Sequence, residues 1–202
     1  MNGKLVRISL AAPLAAAALF LAPAAVPGQA TTAPPPQAAG WARDGQHDFD
    51  FLYGSWKVRL KRLVKPLTGS TTWVEFGGSA HCQPVWGGKA NLDTLEADDP
   101  NSKTHIQGLT LRIYNPASHQ WSLYWANAKN GVLGLPATVG GFDGNGRGEF
   151  YDQEDYEGRM IFVRYVWSNI TPTSAHFEQS FSADGGKTWE VNWIYDGTRV
   201  EE

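Results

Sequence analysis

The sequence predicts an all-β domain, an antiparallel up-and-down barrel of roughly nine or ten strands. From residue 47 onward, short runs alternate apolar and polar residues, and clusters of Gly, Pro, Asn and Asp separate these runs. No long window of this region has apolar residues at helical spacing. A sheet closed into a barrel needs an apolar interior, and nine Trp, seven Tyr and nine Phe among 202 residues supply one.

The first thirty residues have the features of a signal peptide. Lys4 and Arg7 form a basic start, residues 10–21 an apolar run, and small residues up to Ala30 a cleavage site. Prolines flank and interrupt the run, which is shorter than the roughly 20 residues that a transmembrane helix needs. We therefore expect no stable membrane anchor and a periplasmic or secreted protein.

Residues 31–46 are rich in Pro, Ala and Thr, a composition typical of a linker, so residues 47–202 are expected to form the domain. Cys82 is the single cysteine of the chain, which excludes an internal disulfide. The net charge of −3 lacks the basic footprint of proteins that bind nucleic acids, so no nucleic-acid partner is expected. The sequence leaves the oligomeric state open.

Turn positions suggest how the last three strands pair, because paired residues share a face of the sheet. Phe177 is expected opposite Trp193 and beside Tyr165, which places an aromatic row across three strands. Trp167 and Trp189 are assigned to the same inward side. One face of this part of the sheet is therefore expected to be almost wholly aromatic.

An earlier hairpin shows the same division into two faces. Ile113 is expected opposite Trp121, and Leu109 opposite Trp125, so the apolar side chains point inward. The same pairing places Arg112 on the outer, polar face.

The aromatic faces predict a cavity that binds a small apolar or aromatic molecule. The residues expected to contact it are Trp56, Trp121, Trp125, Tyr165, Phe177, Trp193 and Tyr195. An interior filled by these side chains is the alternative, and the protein would then act through its surface, as a structural or interaction protein.

A polar row on the opposite face suggests an enzyme as a second alternative. The expected pairing places Glu178 between Arg164 and Asn192, with Glu190 diagonal to it. Two carboxyl groups at such a spacing can share acid and base roles, whereas a cross-strand ion pair on the outside of the sheet is the simpler interpretation.

Two short motifs favour structural roles. Residues 182–189 match the Asp-box hairpin, in which Asp184 binds turn amides and Gly186 takes a positive φ. Residues 143–154 have partial EF-hand spacing, but Arg147 stands where an oxygen ligand is required, which favours a plain turn.

No metal and no other cofactor are expected. The five histidines show no spacing typical of zinc ligands. Because no histidine falls on the aromatic rows, haem is also expected to be absent, although a haem protein of the nitrobindin sort, with a histidine ligand, remains an alternative.

Gly54 and Trp56, within FDFLYGSWKV, resemble the Gly-x-Trp arrangement that opens the first strand of calycins, the lipocalin and fatty-acid-binding-protein superfamily. Arg199 stands just past the last strand, where calycins place an arginine that packs over this tryptophan. The chain more closely resembles a family of exported bacterial proteins of unknown function, which share four motifs: FDFL-x-G-x-W, GLTLR-x-(Y/F)-(N/D)-P, QWSLYW and FSADGGKTWE-x-NW. In this sequence the motifs stand at residues 49–56, 108–116, 120–125 and 181–193. The resemblance implies a calycin-like barrel.

Overall fold

The computed structural model describes residues 43–100 and 103–201, so the expected signal peptide and most of the expected linker lie outside the described residues. The described chain forms a closed barrel of ten antiparallel strands, which confirms the predicted fold class. None of the helices that the structure describes is long and apolar enough to cross a membrane. The strands are β1 (Gly54–Leu63), β2 (Trp73–Val85), β3 (Ala90–Asp99), β4 (Thr104–Asn115), β5 (Gln120–Asn127), β6 (Thr138–Phe142), β7 (Gly148–Tyr156), β8 (Arg159–Ser168), β9 (Ser174–Ser182) and β10 (Glu190–Arg199).

Each strand pairs with its neighbours in sequence, and β1 pairs with β10 to close the barrel. Connections between antiparallel strands alternate between the two ends of a barrel. Those after β1, β3, β5, β7 and β9 lie at one end, here called the mouth. The connections after β2, β4, β6 and β8 lie at the other, closed end. Short 3-10 turns at Asp50–Leu52 and Trp86–Gly88 are the helical elements of the described chain.

Residues 43–53, here called the plug, fill the closed end of the barrel. Phe49 is fully buried, and its ring centroid lies 5.1 Å from that of Trp121 and 5.0 Å from that of Phe142. The Trp121 indole also donates a hydrogen bond of 2.9 Å to the carbonyl oxygen of Gly45. These contacts tie residues 43–46, which the sequence assigns to the linker, to the barrel.

The pairing of β8, β9 and β10 differs from the expected one by two residues over most of its length. Phe177 pairs with Trp167 and Tyr195, while Gln179 pairs with Tyr165 and Trp193. The turn after β9 keeps residues 183–189 out of the ladder, and an irregularity between Val191 and Trp193 shifts the register further. Because side chains alternate with a period of two, the aromatic residues still point into the barrel.

The pairing of β4 and β5 differs from the expected one by a single residue, which exchanges the two faces of β4. Tyr114 pairs with Trp121, and Arg112 pairs with Leu123, so Arg112 points inward and Ile113 outward. Four residues, 116–119, connect these strands, whereas the expected pairing requires three. Asn115 stabilises the longer turn, since its side-chain oxygen accepts a hydrogen bond of 2.9 Å from the amide of Ala117.

Candidate functional site

A cavity of about 220 Å³ lies inside the barrel, between the plug and the mouth. Its walls consist of aromatic and aliphatic side chains with a few polar ones: Ala80, Asp93, Leu95, Thr110, Arg112, Leu123, Trp125, Tyr165, Trp167, Phe177, Gln179, Trp193 and Tyr195. Trp125 is 38% exposed and stands near the end of β5 at the mouth.

Five of the seven aromatic residues expected to contact a ligand lie on this wall: Trp125, Tyr165, Phe177, Trp193 and Tyr195. Trp56 and Trp121 do not, and in this respect the expectation is wrong. Both are buried at the closed end, where their indole nitrogens donate to the carbonyl oxygens of Leu52 and Gly45. The plug therefore separates these two side chains from the cavity.

The aromatic side chains of the wall pack against one another. The Trp167 ring centroid lies 5.0 Å from that of Phe177 and 5.8 Å from that of Tyr195. Tyr165 meets Phe177 edge to face at 5.2 Å, an arrangement that aromatic pairs favour. These contacts hold the rings in place, so the wall is a preformed apolar surface.

A buried arginine stands at the inner end of the cavity. Arg112 is 3% exposed, and its guanidinium donates hydrogen bonds to Asn91 (3.0 Å) and to the Asp93 carboxylate (2.8 Å). The guanidinium carbon lies 5.0 Å from the Phe49 ring centroid and 5.9 Å from that of Trp167. The expected pairing, with its three-residue turn, placed Arg112 on the outer face, and this expectation is wrong. The sequence pattern shows that Arg112 and Thr110 share one face of β4, because they are two residues apart, but it does not show whether that face is the inner or the outer one.

The buried thiol of Cys82 lies on the same inner face, since Cys82 pairs with Asp93 across β2 and β3. Burial raises the pKa of this thiol to about 12. A thiol with such a pKa remains protonated at neutral pH and is a poor nucleophile, so the geometry does not favour a nucleophilic role for Cys82.

Two carboxyl groups on the inner face of β7 escaped the sequence analysis. Asp152 accepts a hydrogen bond of 2.8 Å from Thr138, and Glu154 pairs with the buried Ile161. Burial, followed by the nearby charge of Asp152, raises the pKa of Glu154 to about 7. The sequence of β7 alternates along its length, so only the inward direction of these two residues distinguishes them from surface acids.

This raised pKa makes stability depend on pH. The pKa of the Glu154 carboxyl rises from its ordinary value of 4.5 to about 7 on folding. The contribution of the protonated carboxyl to the free energy of unfolding is therefore complete below about pH 4.5 and is lost as pH rises through 7. Because Glu154 is partly exposed, we expect Glu154→Gln to be more stable than the wild type at pH 8 by only about 1–2 kcal/mol. Urea unfolding at pH 4 and pH 8 measures this. An equal gain for Glu157→Gln, in the exposed turn, would contradict the assignment.

The residues of the alternative polar row are not brought together, because the row depended on the incorrect pairing. Glu178 pairs with Val166 and Ile194, and not with Arg164 and Asn192. The four side chains have different partners. The Arg164 guanidinium lies 4.5 Å from the Trp189 ring, and Glu178 contacts His176. Glu190 accepts a hydrogen bond from the Leu67 amide, and Asn192 accepts one from the Gln179 side chain. Trp189, which was assigned inward, thus packs with Arg164 on the outer face.

The turn before β10 is organised by Asp184. Its carboxylate accepts hydrogen bonds from the amides of Thr188 (2.9 Å) and Lys187 (3.0 Å) and from the Thr188 hydroxyl (2.7 Å). These bonds, those from Thr188 first, lower the pKa of Asp184 to about 2. The amide of Gly186, at φ +85°, donates to Ser182. The hydrogen bonds of Asp184 and Gly186 thus hold this turn together.

The start of β1 is tied to the end of β10. The Arg199 guanidinium lies 4.4 Å from the Trp56 ring and donates to the carbonyl oxygens of Phe51, Tyr53 and Pro172. Gly54 has a φ of +97°, a left-handed conformation that glycine adopts readily. An added Cβ there would lie 3.2 Å from the Arg199 side chain.

The cavity wall has no imidazole that could ligate haem iron. None of the five histidines lies among the residues that line it. In the part of the chain that the structure describes, no cluster of three His, Cys, Asp or Glu residues is arranged to hold a metal ion.

That the protein binds no haem stays a prediction. Because an axial imidazole must project into the cavity that holds the porphyrin, we expect hemin titration to give no sharp Soret band. A sharp band that disappears in a His176→Ala variant would contradict this expectation.

No protein-family model and no curated protein matches the sequence. Rv2717c from M. tuberculosis is similar in structure, with a TM-score of 0.54 and 12% sequence identity over 79% of this chain and 99% of that one. The S-type phycobiliprotein lyase CPES from Guillardia theta has a TM-score of 0.55 and 12% identity over 84% of this chain and 99% of that one. At these identities the likeness concerns the fold alone, a closed antiparallel β-barrel.

Proposed function

We propose that the protein binds a small apolar or aromatic molecule in the cavity between the plug and the mouth. The observation that carries this proposal is the preformed aromatic wall around about 220 Å³ of space. Small antiparallel barrels, lipocalins among them, can hold one small ligand inside. An apolar cavity of about 150 Å³ accommodates benzene. The space here therefore suits a molecule of one or two rings better than a long-chain lipid.

A neutral two-ring probe, 1-naphthylamine, tests this proposal, because its fluorescence emission shifts to shorter wavelength on transfer from water to an apolar site. We expect saturable binding to the full chain. Trp193→Ala removes part of the wall and should weaken binding about fivefold to tenfold, the value of one aromatic contact. Trp86→Ala is the control, since Trp86 is 69% exposed at the closed end and should leave the affinity unchanged.

Stability measurements on the same variants separate a cavity from a filled interior. Trp121→Ala creates a void in a packed region, so we expect a loss of about 3–5 kcal/mol in the free energy of unfolding. Trp193 already borders open space, and Trp193→Ala should cost clearly less. If the wild type binds no probe and both variants lose equal stability, the interior is filled, and the surface-acting alternative is favoured.

We also propose that the protein is exported and acts in the periplasm or outside the cell, like the bacterial family that it resembles. The basic start, apolar run and small-residue site of residues 1–30 support this proposal. Expression of the full chain in a Gram-negative host, with N-terminal sequencing of the periplasmic fraction, tests it. A mature chain that begins near Thr31 is expected, and an uncleaved chain retained in the cytoplasm would overturn the proposal.

A further inference from the structure

Two side chains on the cavity wall carry buried N–H groups without a hydrogen-bond partner among the described residues. They are the indole Nε1 of Trp167 and the guanidinium Nε of Arg112. The amide nitrogen of Asn91, which is buried beside Arg112, also has none. All three are donors. Buried polar groups in folded proteins are nearly always paired, so this end of the cavity fits an acceptor.

The charges around the cavity indicate which kind of acceptor. Arg112 and Asp93 carry the only charges among the residues that line it, and they form an ion pair at 2.8 Å. Arg62 is also on the inner face, opposite Trp193, but it is paired with Asp99 at 2.6 Å. Neither cation is available as the sole partner of an anion.

A negatively charged ligand would therefore add an uncompensated charge to an apolar site, which is costly. The carboxyl groups of Asp152 and Glu154, on the inner face near Tyr165, increase this cost. A neutral oxygen acceptor satisfies the donors and adds no charge. It also accepts from a charged guanidinium, and such bonds are stronger than those between neutral groups.

We propose that the ligand carries a neutral carbonyl oxygen, which accepts hydrogen bonds from Trp167 Nε1 and Arg112 Nε at the inner end of the cavity. The apolar body of the ligand lies against Trp125, Tyr165 and Trp193, closer to the mouth. This inference rests on the proposed function, because it assigns a ligand class to the same cavity.

Three ligands of nearly equal shape test the inference by displacement of the 1-naphthylamine probe. Methyl naphthyl ketone carries the carbonyl group, isopropylnaphthalene replaces the oxygen by a methyl group, and naphthoate carries a carboxylate. We expect the ketone to bind about tenfold more tightly than the hydrocarbon, since only the ketone satisfies the buried donors. The ketone is also expected to bind more tightly than naphthoate at pH 8.

Variants identify the donor. Trp167→Phe keeps an aromatic ring and removes the N–H group, so the ratio of ketone to hydrocarbon affinity should fall at least threefold. Trp125→Phe is the matched control, because Trp125 also lines the cavity and its nitrogen is not among the buried unpartnered donors. It should weaken both ligands equally and leave the ratio unchanged.

The infrared C=O stretch of carbon-13-labelled ketone, measured on the wild-type protein, gives a readout that needs no variant. A hydrogen-bonded carbonyl absorbs at lower frequency than one in an apolar solvent, so we expect a shift to lower frequency on binding. Equal affinities of ketone and hydrocarbon, an unshifted C=O band, or tighter binding of naphthoate would each overturn this inference. Failure of all three ligands and of the probe to bind would instead overturn the proposed function.

Discussion

Replacement of Arg112 by leucine is expected to lower the free energy of unfolding by about 3–5 kcal/mol. Arg112 is buried and bonded to Asp93 and Asn91, so its removal leaves the Asp93 carboxylate without its cation inside the barrel. An unpaired charge in an apolar interior costs far more than the pair contributes, because neither water nor a partner solvates it. Urea unfolding followed by tryptophan fluorescence measures the effect.

Two variants make this expectation specific to the buried pair. Arg112→Leu combined with Asp93→Leu removes both charges and should recover most of the lost stability, since apolar replacements of buried pairs are often neutral. Arg59→Leu breaks an exposed pair with Asp196 at 3.6 Å, and it should cost less than about 1 kcal/mol. An Arg112→Leu variant as stable as Arg59→Leu would contradict the structural role of the buried arginine.

Arg199→Ala is expected to lower the free energy of unfolding by about 2–4 kcal/mol, because this side chain of the last strand contacts both the plug and the first strand. The change removes the contact with the Trp56 ring at 4.4 Å and the hydrogen bond to the Pro172 carbonyl at 2.7 Å. It also removes the bonds to the carbonyl oxygens of Phe51 and Tyr53.

Thermal melting of Arg199→Ala beside Lys57→Ala measures this contribution. Lys57 lies on β1 next to Trp56, but its side chain is exposed, and its removal should change stability by no more than about 0.5 kcal/mol. Equal melting temperatures of the two variants would contradict the closure of the barrel by Arg199.

The fold was predictable because strand alternation and turn composition are local properties of the sequence. The register of the strand pairs was not predictable in this way, since it depends on the number of residues in each turn. A turn one residue longer than assumed placed Arg112 inside, beside Asp93, and removed Ile113 from the expected interior. The predicted pairing of β9 with β10 was wrong by two residues over most of its length. Because a shift by two residues keeps each side chain on the same face, Phe177 and Trp193 still point inward as predicted.

The sequence also does not predict that the plug separates the cavity from the closed end of the barrel. Trp56 and Trp121 are aromatic residues of the kind that lines ligand sites. In the structure, however, their indole N–H groups donate hydrogen bonds to backbone carbonyl groups of the plug. A carbonyl group is present at every residue and leaves no signature in the sequence. The wall residues on β8, β9 and β10 needed no such information, because the alternation within each strand assigns their direction.

The order of the strands also bears on how fast the barrel forms and opens. Nine of the ten strand pairs join neighbours in sequence, and these hairpins require only short loops to close. The pairing of β1 with β10 joins the two ends of the domain and closes the longest loop, so we expect this pair to form last, after the other strand pairs. Interactions made after the folding transition state slow unfolding and leave the folding rate nearly unchanged. We therefore expect Arg199, which lies at this seam, to act mainly on the lifetime of the native state, with little effect on the folding rate.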